Sequence, residues 1–297
     1  MLAIVIPYYK LIFFEETLQS LANQTDQRFK VYIGDDASPE NPSNLIERYQ
    51  GQFDFEYHRF QSNLGGISLV KQWERCIAMI ENEKWIMILG DDDYLETNVV
   101  ASWYKHYNDF NKKSNVIRFA SKSVNMKLNG IISDSFTHPL WEKATDSYYR
   151  RFKGVTRSTL SEYVFSKEAY LKKGFYDFPL AWHSDDAAWL GFSDNKPIYT
   201  INDSNVFVRF SERSISGNNE DQNLKDLASI DFIKKSILNK LYLFKKDQQI
   251  ELVLYYEIAI KKNRKLKFSE WFELLYIYAI NFQFLPFIKC LKRFMLG

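Results

Sequence analysis

The sequence predicts an α/β fold with a mostly parallel sheet, followed by a helical C-terminal region. Between Leu2 and Ala120, short runs of β-branched and aromatic residues alternate with longer helix-forming segments, as in successive βαβ units. From Asp226 onward the pattern is almost entirely helical, and no glycine occurs before Gly297. These two observations separate the chain into an α/β part and a helical part.

The elements of the α/β part follow from its apolar runs. We predict strands at about residues 2–6, 29–33, 55–60, 85–89 and 116–120. We predict helices at about residues 13–22, 67–80 and 97–108, the last with Thr97 as its N-cap. Farther along, Asn129-Gly130 indicates a hairpin, and the polar, basic stretch Thr145–Lys153 indicates a loop. A polar stretch near 215–225 predicts a boundary between a catalytic domain, 1–217, and a helical region, 218–297.

Composition and charge exclude several classes of protein. The 297 residues are 46% hydrophobic and 17% aromatic, which excludes a disordered or collagen-like chain. A net charge of +2 disfavours nucleic acid as a partner. Cys76 and Cys290 are too few for a disulfide framework or a zinc site and suit a reducing cytosol. The short apolar N-terminus, followed at once by Pro7, predicts a buried strand rather than a signal peptide, so we expect a cytoplasmic protein.

Three acidic clusters are the candidates for chemistry, because the sequence contains no serine-hydrolase, zinc-protease or P-loop motif. Asp35-Asp36 and Asp91-Asp92-Asp93 each follow a predicted strand, and Asp185-Asp186 lies farther along. Ligands of open α/β sheets bind beyond the carboxyl ends of the strands, so the first two clusters are predicted to share a site. Adjacent carboxylates repel unless a cation neutralises them, and hard oxygen ligands favour Mg²⁺ or Mn²⁺. One pair alone is more often a turn or a helix cap, but three clusters together favour a site.

Several longer segments then resemble a known family. They are Ile4–Tyr9, Leu18–Thr25, Val31–Ser38, Asn63–Gly66, Gln72–Cys76, Ile88–Leu95 and Ser184–Trp189. In this order they resemble the motifs of family 2 glycosyltransferases over about residues 2–215 and leave the C-terminal region uncovered. The resemblance implies a GT-A fold, in which a Rossmann-like, nucleotide-sugar-binding mixed sheet is flanked by helices. It also implies an inverting, metal-dependent sugar transfer.

The resemblance implies a role for each candidate residue of the donor site. Pro7 and Tyr9 would line the nucleoside pocket, and Asp36 would hydrogen-bond the nucleobase. Lys71 would lie near the diphosphate, and Asp92 would contact the ribose or the sugar.

The metal and the catalytic base are implied in the same way. Asp93 would be the main ligand of Mn²⁺ or Mg²⁺, with Asp91 as a second or indirect ligand. Asp186 would be the base that activates the acceptor hydroxyl, with Asp185 as the alternative. Two departures from the family pattern concern this site. Gly90 stands where many members carry another Asp, and Arg209-Phe210-Ser211 replaces Arg-x-His, so that Arg209 or Arg213 could bind the diphosphate instead.

The C-terminal region differs in charge from the rest of the chain. Residues 261–297 contain eight basic and two acidic residues, a net charge of +6, which leaves −4 for the other residues. The aromatic and aliphatic segment Trp271–Ile288 lies between basic clusters and is interrupted by polar residues and Pro286, which disfavours a spanning helix. Two interpretations stay open: an amphipathic helix on the anionic inner leaflet of a membrane, or a helical pair packed against protein.

Together these features predict transfer of a sugar from a nucleotide-sugar to a glycan or lipid-linked oligosaccharide in surface polysaccharide synthesis. A UDP-sugar is the preferred candidate for the donor. The enzyme would act in the cytoplasm or at the cytoplasmic face of the membrane. Two alternatives are a nucleotidyl- or sugar-phosphate transferase and a catalytically silent nucleotide-sugar-binding module. The first would usually carry a Gly-rich, basic signature near the first strand, which Pro7-Tyr8-Tyr9-Lys10 lacks.

Overall fold

The computed structural model of the chain describes residues 1–211, 221–281 and 284–296. The chain divides into two compact units, Met1–Glu220 and Asp221–Gly297. The boundary predicted at residue 217 lies outside the described residues, as does Arg213.

The first unit contains the strands and helices of the predicted α/β part. Its strands are β1 (Leu2–Tyr8), β2 (Phe29–Asp35), β3 (Phe55–Arg59), β4 (Trp85–Ile88), β5 (Tyr94–Leu95), β6 (Val116–Asn125), β7 (Ile131–Ile132), β8 (Trp141–Glu142), β9 (Tyr163–Ser166) and β10 (Ile198–Phe210). Its helices are α1 (Phe14–Ala22), α2 (Ser43–Glu47), α3 (Leu69–Ile77), α4 (Val99–Phe110), α5 (Ala144–Phe152), α6 (Lys167–Lys173) and α7 (Ser184–Phe192).

The ten strands found in the described residues form one mixed sheet. Its order is β3-β2-β1-β4-β9-β6-β10-β5, with β7 paired to β6 and β8 to β10. Strands β3, β2, β1 and β4 run parallel, β9 runs antiparallel to β4 and β6, and β6 and β10 are parallel. The predicted α/β fold with a mixed sheet and flanking helices is confirmed, and its parallel half matches the predicted βαβ pattern.

Helices cover both faces of this sheet, so the central strands are apolar on both sides. Successive side chains of β1 point to opposite faces: Ile4 belongs to the core that contains Trp103 of α4, and Val5 to the core that contains Trp73 of α3. Trp189 of α7 also lies in the second core, where it is 4% exposed and stacks on Tyr163 at 4.2 Å. Trp189 therefore packs in the core, and its ring is not exposed for stacking on a sugar.

The hairpin at Asn129-Gly130 is confirmed, whereas the loop predicted over Thr145–Lys153 is wrong. Asn129 and Gly130 have φ of 53° and 76°, and β6 and β7 pair on either side of them. The predicted loop is α5, whose polar residues Thr145 and Ser147 face inward and are buried. Ser147 Oγ accepts a 2.7 Å hydrogen bond from the buried guanidinium of Arg118. The polar residues on the buried side of α5 take part in an internal hydrogen-bond network. A prediction that expects apolar residues on the buried side of a helix therefore mistakes this helix for a loop.

The second unit is helical, as the sequence predicts. It contains α8 (Gln222–Phe232), α9 (Lys246–Asn263), α10 (Phe268–Ile280) and α11 (Phe284–Met295), with a π-helical turn and a 3₁₀ segment between α8 and α9. Leu252 and Tyr256 of α9, Leu274 and Tyr278 of α10 and Cys290 of α11 are buried. None of the helices in the described ranges combines the length and the apolar character needed to cross a bilayer.

Candidate active site

The carboxyl ends of β1, β2 and β4 bring two of the three acidic clusters to one edge of the sheet. Tyr8 at the end of β1 pairs with Asp35 at the end of β2, while Asp91 follows β4 on the other side of β1. Asp91 Oδ2 accepts hydrogen bonds from the backbone N–H groups of Tyr9 and Lys10, each of 2.7 Å. The two clusters thus lie where an open α/β sheet binds its ligands.

Asp36 holds the loop that contains Gly65 and Gly66. Its carboxylate accepts the N–H groups of Leu64 at 2.7 Å and Gly65 at 2.8 Å and pairs with the Arg75 guanidinium. A Cβ atom at position 65 would lie 2.5 Å from Asp36 Oδ2, so this close approach requires glycine. Both oxygens of this buried carboxylate are engaged within the protein, and a nucleobase would have to share them.

The other residues expected around the donor differ in exposure. Pro7 and Tyr9 are partly exposed at the end of β1, beside the carboxylate of Asp91. Lys71 lies in the first turn of α3, where its side chain is exposed and its backbone N–H donates to Ser68 Oγ at 3.1 Å. Within the described ranges, no hydrogen bond or ion pair joins Lys71 to the acidic clusters.

The aspartate triplet is anchored by its outer members. Asp93 is 5% exposed, and its Oδ1 accepts the Arg209 N–H at 2.8 Å while its Oδ2 accepts the hydroxyl of Ser161. Burial and then the neighbouring charge of Asp92 raise the pKa of both Asp91 and Asp93 to about 7. Burial also raises the pKa of Asp92. The triplet is a crowded anionic site whose repulsion a cation would relieve.

Gly90 leaves space for two of these carboxylates. A Cβ atom at position 90 would lie 3.0 Å from Asp92 Oδ1 and 3.0 Å from Asp93 Oδ2, so both oxygens border the same small volume. They are hard donors of the kind that Mg²⁺ and Mn²⁺ prefer, and such ions commonly complete their shell with water and substrate phosphates. In the part of the chain that the structure describes, no three His, Cys, Asp or Glu side chains form a metal site by themselves. The donor set therefore fits a divalent cation that is also held by the substrate.

Ser161 is a site residue that sequence reasoning missed. Its hydroxyl donates to Asp93 Oδ2 and accepts the N–H of Gly90 at 3.1 Å, so it links the last aspartate of the triplet to the residue that precedes the triplet. It lies 68 residues from Asp93, and no local pattern marks it. Only the pairing of β9 with β4 brings the turn before β9 to this place.

Arg209 braces the triplet from the other side. Its guanidinium donates to the Asp92 carbonyl and pairs with Glu16, and it lies 4.2 Å from the centroid of the Phe13 ring. The side chain is only 3% exposed. Its charge is thus committed to positioning the triplet, which weakens the hypothesis that Arg209 binds the diphosphate directly.

The third acidic cluster begins α7 rather than following a strand. His183 at the N-cap has φ of 67°, and Leu180 and Ala181 have φ of 58° and 53°. Left-handed conformations are unfavourable for residues with a Cβ, so this turn is strained. It directs the chain so that Asp185 and Asp186 occupy the first helical turn, where the helix dipole favours carboxylates.

Asp185 and Asp186 have different environments. Asp186 is 3% exposed, and its Oδ2 accepts a 2.7 Å hydrogen bond from His183 Nδ1 and pairs with Arg151 Nη1 at 3.0 Å. Burial opposes ionisation of Asp186, but Arg151 and His183 outweigh it and hold the pKa below its usual value. Asp185 is partly exposed, and desolvation together with the charge of Asp186 raises its pKa to about 7. Since Arg151 comes from α5, the wrongly predicted loop, the sequence does not reveal its role.

The family of the chain follows from its sequence together with this arrangement. The model of the family described as "Glycosyl transferase family 2" matches residues 3–172. The chain belongs to glycosyl transferase family 2. The matched residues include Asp36 and the Asp91–Asp93 triplet and end before Asp185. A search of curated proteins found no sequence that matches the chain.

Solved structures of similar fold are glycosyltransferases. The 1–349 part of S. aureus TarS in complex with UDP-GlcNAc has a TM-score of 0.63 at 14% identity, covering 95% of this chain and 80% of that chain. A longer S. aureus TarS structure has a TM-score of 0.57 at 14% identity, covering 95% of this chain but 48% of that chain, so our chain spans about half its length. Mannosyltransferase PcManGT from Pyrobaculum calidifontis, in complex with GDP-Man and Mn²⁺, has a TM-score of 0.57 at 11% identity, covering 94% and 75% of the two chains. At these identities the likeness shows the fold, and the predicted GT-A fold is confirmed.

Proposed function

We propose that this chain transfers a sugar from a nucleotide-sugar to a hydroxyl of a glycan or lipid-linked oligosaccharide, with inversion at the anomeric carbon. A UDP-sugar is the preferred candidate for the donor. The observation that carries the proposal is the sheet edge where Asp35-Asp36 and the Asp91–Asp93 triplet meet, in a chain of glycosyl transferase family 2. The proposed pathway is surface polysaccharide synthesis, at the cytoplasmic face of the membrane. Structures of similar fold were solved with UDP-GlcNAc and with GDP-Man and Mn²⁺, which supports this choice of donor class and metal.

In this proposal the donor lies along the carboxyl ends of β1, β2 and β4. Pro7 and Tyr9 border the nucleoside, Asp36 shares its carboxylate with the nucleobase, and Lys71 reaches toward the diphosphate. These three roles rest on the family motifs. Exposure of Pro7 and Tyr9 supports the first role, whereas the existing partners of Asp36 limit the second.

Asp92 and Asp93 would hold Mn²⁺ or Mg²⁺ between them, because both carboxylates border the space above Gly90. When bound, the cation would neutralise the negative charge that develops on the leaving nucleoside diphosphate. Asp91 would be an indirect ligand of the cation, because its Oδ2 already accepts hydrogen bonds from two backbone N–H groups. Ser161 and Arg209 would orient Asp93, through its two oxygens.

The structure favours Asp185 over Asp186 as the base, which reverses the preference of the sequence motif. A general base works best when its pKa is near the working pH and when the acceptor can reach it. Asp185 is partly exposed and has a pKa of about 7, whereas Asp186 is buried and paired with Arg151 and His183. In this proposal Asp185 takes the acceptor hydroxyl proton, and Asp186 raises the pKa of Asp185 through its negative charge.

Calorimetry tests the donor site. The protein is titrated with UDP-, GDP- and dTDP-sugars, each with Mn²⁺ and with EDTA. We expect one nucleotide class to bind only with Mn²⁺ and to lose binding in Asp93→Asn. Asp134→Asn, which changes an exposed aspartate just after β7, should bind normally. Binding that ignores both EDTA and Asp93→Asn would contradict the metal role. Donor binding without any transfer or hydrolysis of the sugar would favour the silent module, and cleavage of the donor to a sugar phosphate would favour the other transferase class.

A pH–rate profile tests the base. With Asp185 as base, activity declines as the pH falls below about 7, because the carboxylate becomes protonated. Asp185→Asn should then lower kcat by at least 100-fold, the low end of general-base contributions. Asp186→Asn removes the negative charge that raises the Asp185 pKa, so the acid limb should move to lower pH with activity retained. The opposite pattern, with activity lost in Asp186→Asn and kept in Asp185→Asn, would restore Asp186 as the base.

A further inference from the structure

The second unit exposes a row of large apolar side chains on one face of α10. Phe268, Phe272, Tyr276 and Ile280 are spaced four residues apart and are 74%, 62%, 66% and 50% exposed. Residues at this spacing lie on the same side of a helix. The opposite side of α10 packs inward, and Trp271, which the sequence places in the same apolar segment, is 7% exposed. Helix α10 is therefore apolar on two sides, one packed inward and the other exposed to solvent.

The row continues onto α11. The ring of Phe294 lies 6.1 Å from that of Phe268 and 6.2 Å from that of Phe272, and Phe294 is itself partly exposed. We call the surface formed by Phe268, Phe272, Tyr276, Ile280 and Phe294 the aromatic face. Contiguous exposed apolar surface of this kind marks an interaction site, since soluble surfaces usually scatter such residues.

The charges of α10 and of the segment before it do not interrupt the aromatic face. Glu270 pairs with Arg264 at 2.6 Å, and Glu273 pairs with Lys234 at 3.4 Å. Glu257 of α9 pairs with both Lys261 and Arg293, at 2.9 Å and 2.6 Å. Glu270 and Glu273, the two acidic residues of the 261–297 region, are thus already paired with basic side chains.

Four lysines of the segment that contains α10 and α11 carry the excess positive charge. Lys265 and Lys267 directly precede α10, and Lys289 and Lys292 lie on α11; all four are exposed. The ammonium group of none of them forms an ion pair with an acidic side chain among residues 1–211, 221–281 and 284–296. The surface therefore combines aromatic side chains with unpaired cations.

We propose that the aromatic face docks on a bilayer that contains anionic phospholipid. Aromatic and aliphatic side chains of a surface helix enter the boundary between headgroups and acyl chains, and lysines beside them attract anionic headgroups. Charge argues against a second copy of this chain as the occupant, because a symmetric contact would bring together two copies of the same basic pair of helices, with four unpaired ammonium groups on each. The docking requires neither donor nor catalytic chemistry, so it stands or falls independently of the transfer reaction.

Vesicle co-sedimentation of the full chain tests the docking. Vesicles of phosphatidylcholine alone are compared with vesicles that contain 30% phosphatidylglycerol, on the order of a moderately anionic membrane. We expect binding to the anionic vesicles and much less to the neutral ones. Phe268→Ser/Phe272→Ser should lower the partition coefficient more than tenfold, because two large apolar side chains no longer enter the lipid. Lys265→Gln/Lys267→Gln should lower it about 25-fold, at roughly fivefold per lysine.

Matched variants and a second measurement complete the test. Leu171→Ser, a 72% exposed leucine on α6, and Lys112→Gln/Lys113→Gln, two exposed lysines of the first unit, should bind vesicles like the unchanged chain. Circular dichroism and donor calorimetry on each variant verify the fold and the donor site. Equal binding to both kinds of vesicle, or none, overturns the proposal. So does a concentration-dependent dimer in sedimentation velocity that Phe268→Ser/Phe272→Ser dissociates, since the aromatic face would then join two copies of the chain.

Discussion

Replacing Gly34 with alanine should destabilise the edge of the sheet that carries the donor site. Gly34 is the penultimate residue of β2 and directly precedes Asp35. A Cβ atom there would overlap Sγ of Cys76 in α3 and lie 3.0 Å from Cε2 of Phe60. Cys76 is completely buried, so its sulfur has no solvent to move into. The helix or the strand must shift instead.

The cost can be estimated from the size of this overlap. Overpacking of a core by one methyl group costs about 1–3 kcal/mol. Because the added methyl group overlaps a buried atom, we expect Gly34→Ala to cost about 2–3 kcal/mol. For a unit of this size, that loss lowers Tm by about 4–12 °C. Cys76→Ala removes the overlapping atom and should itself cost roughly 1 kcal/mol for the lost buried sulfur. In the double variant the new methyl group occupies the space of the sulfur.

Urea unfolding of the four proteins in this cycle measures the coupling. We expect Gly34→Ala/Cys76→Ala to be about as stable as Cys76→Ala alone, a coupling of about 2 kcal/mol between the two sites. Gly191→Ala on α7 is the matched control, because no atom lies within 4 Å of its added Cβ, and it should be neutral or stabilising. If the two single costs simply add, or if Gly34→Ala is as stable as Gly191→Ala, the steric argument fails.

Two further predictions concern titration. Arg151→Gln removes a positive charge that lowers the pKa of Asp185, so this pKa should rise further. The acid limb of the pH–rate profile should therefore move to higher pH, opposite to its shift in Asp186→Asn. An unchanged limb would show that Asp185 is not the titrating base. The hydrogen-bonded ion pair with Arg264 lowers the pKa of Glu270 to about 2 from 4.5, so its contribution to the free energy of unfolding is present above about pH 4.5 and is lost as the pH falls toward 2. The destabilisation caused by Glu270→Gln, measured by urea unfolding, should therefore shrink between pH 5 and pH 3, and a constant difference would contradict the ion pair.

The sequence alone determined the class of fold, the order of the elements in its parallel half and the helical nature of the C-terminal region. These properties depend on local patterns. Apolar runs such as Leu2–Ile6 are long enough for one strand, and Asn129-Gly130 can adopt the positive φ that a tight hairpin needs. The family motifs are also short stretches of sequence, and their order along the chain identifies the family without any knowledge of tertiary contacts.

Only the tertiary structure decided how the acidic residues divide their work. Asp91, Asp92 and Asp93 are adjacent in sequence, yet one carboxylate turns to the backbone of Tyr9 and Lys10 while the other two border the space above Gly90. That difference depends on Ser161 and Arg209, which lie 68 and 116 residues from Asp93. No sequence window contains such partners.

The same reason applies to the third acidic cluster and to the C-terminal helices. Arg151 reaches Asp186 from α5, whose inward-facing polar residues resemble a loop in sequence. In the apolar segment that begins at Trp271, the sequence cannot tell which side chains pack inward, because both sides of α10 are apolar. Packing against α9 and α11 buries Leu274 and Tyr278 and leaves Phe272 in solvent. A sequence determines which elements form, but burial and charge pairing arise only when distant elements meet.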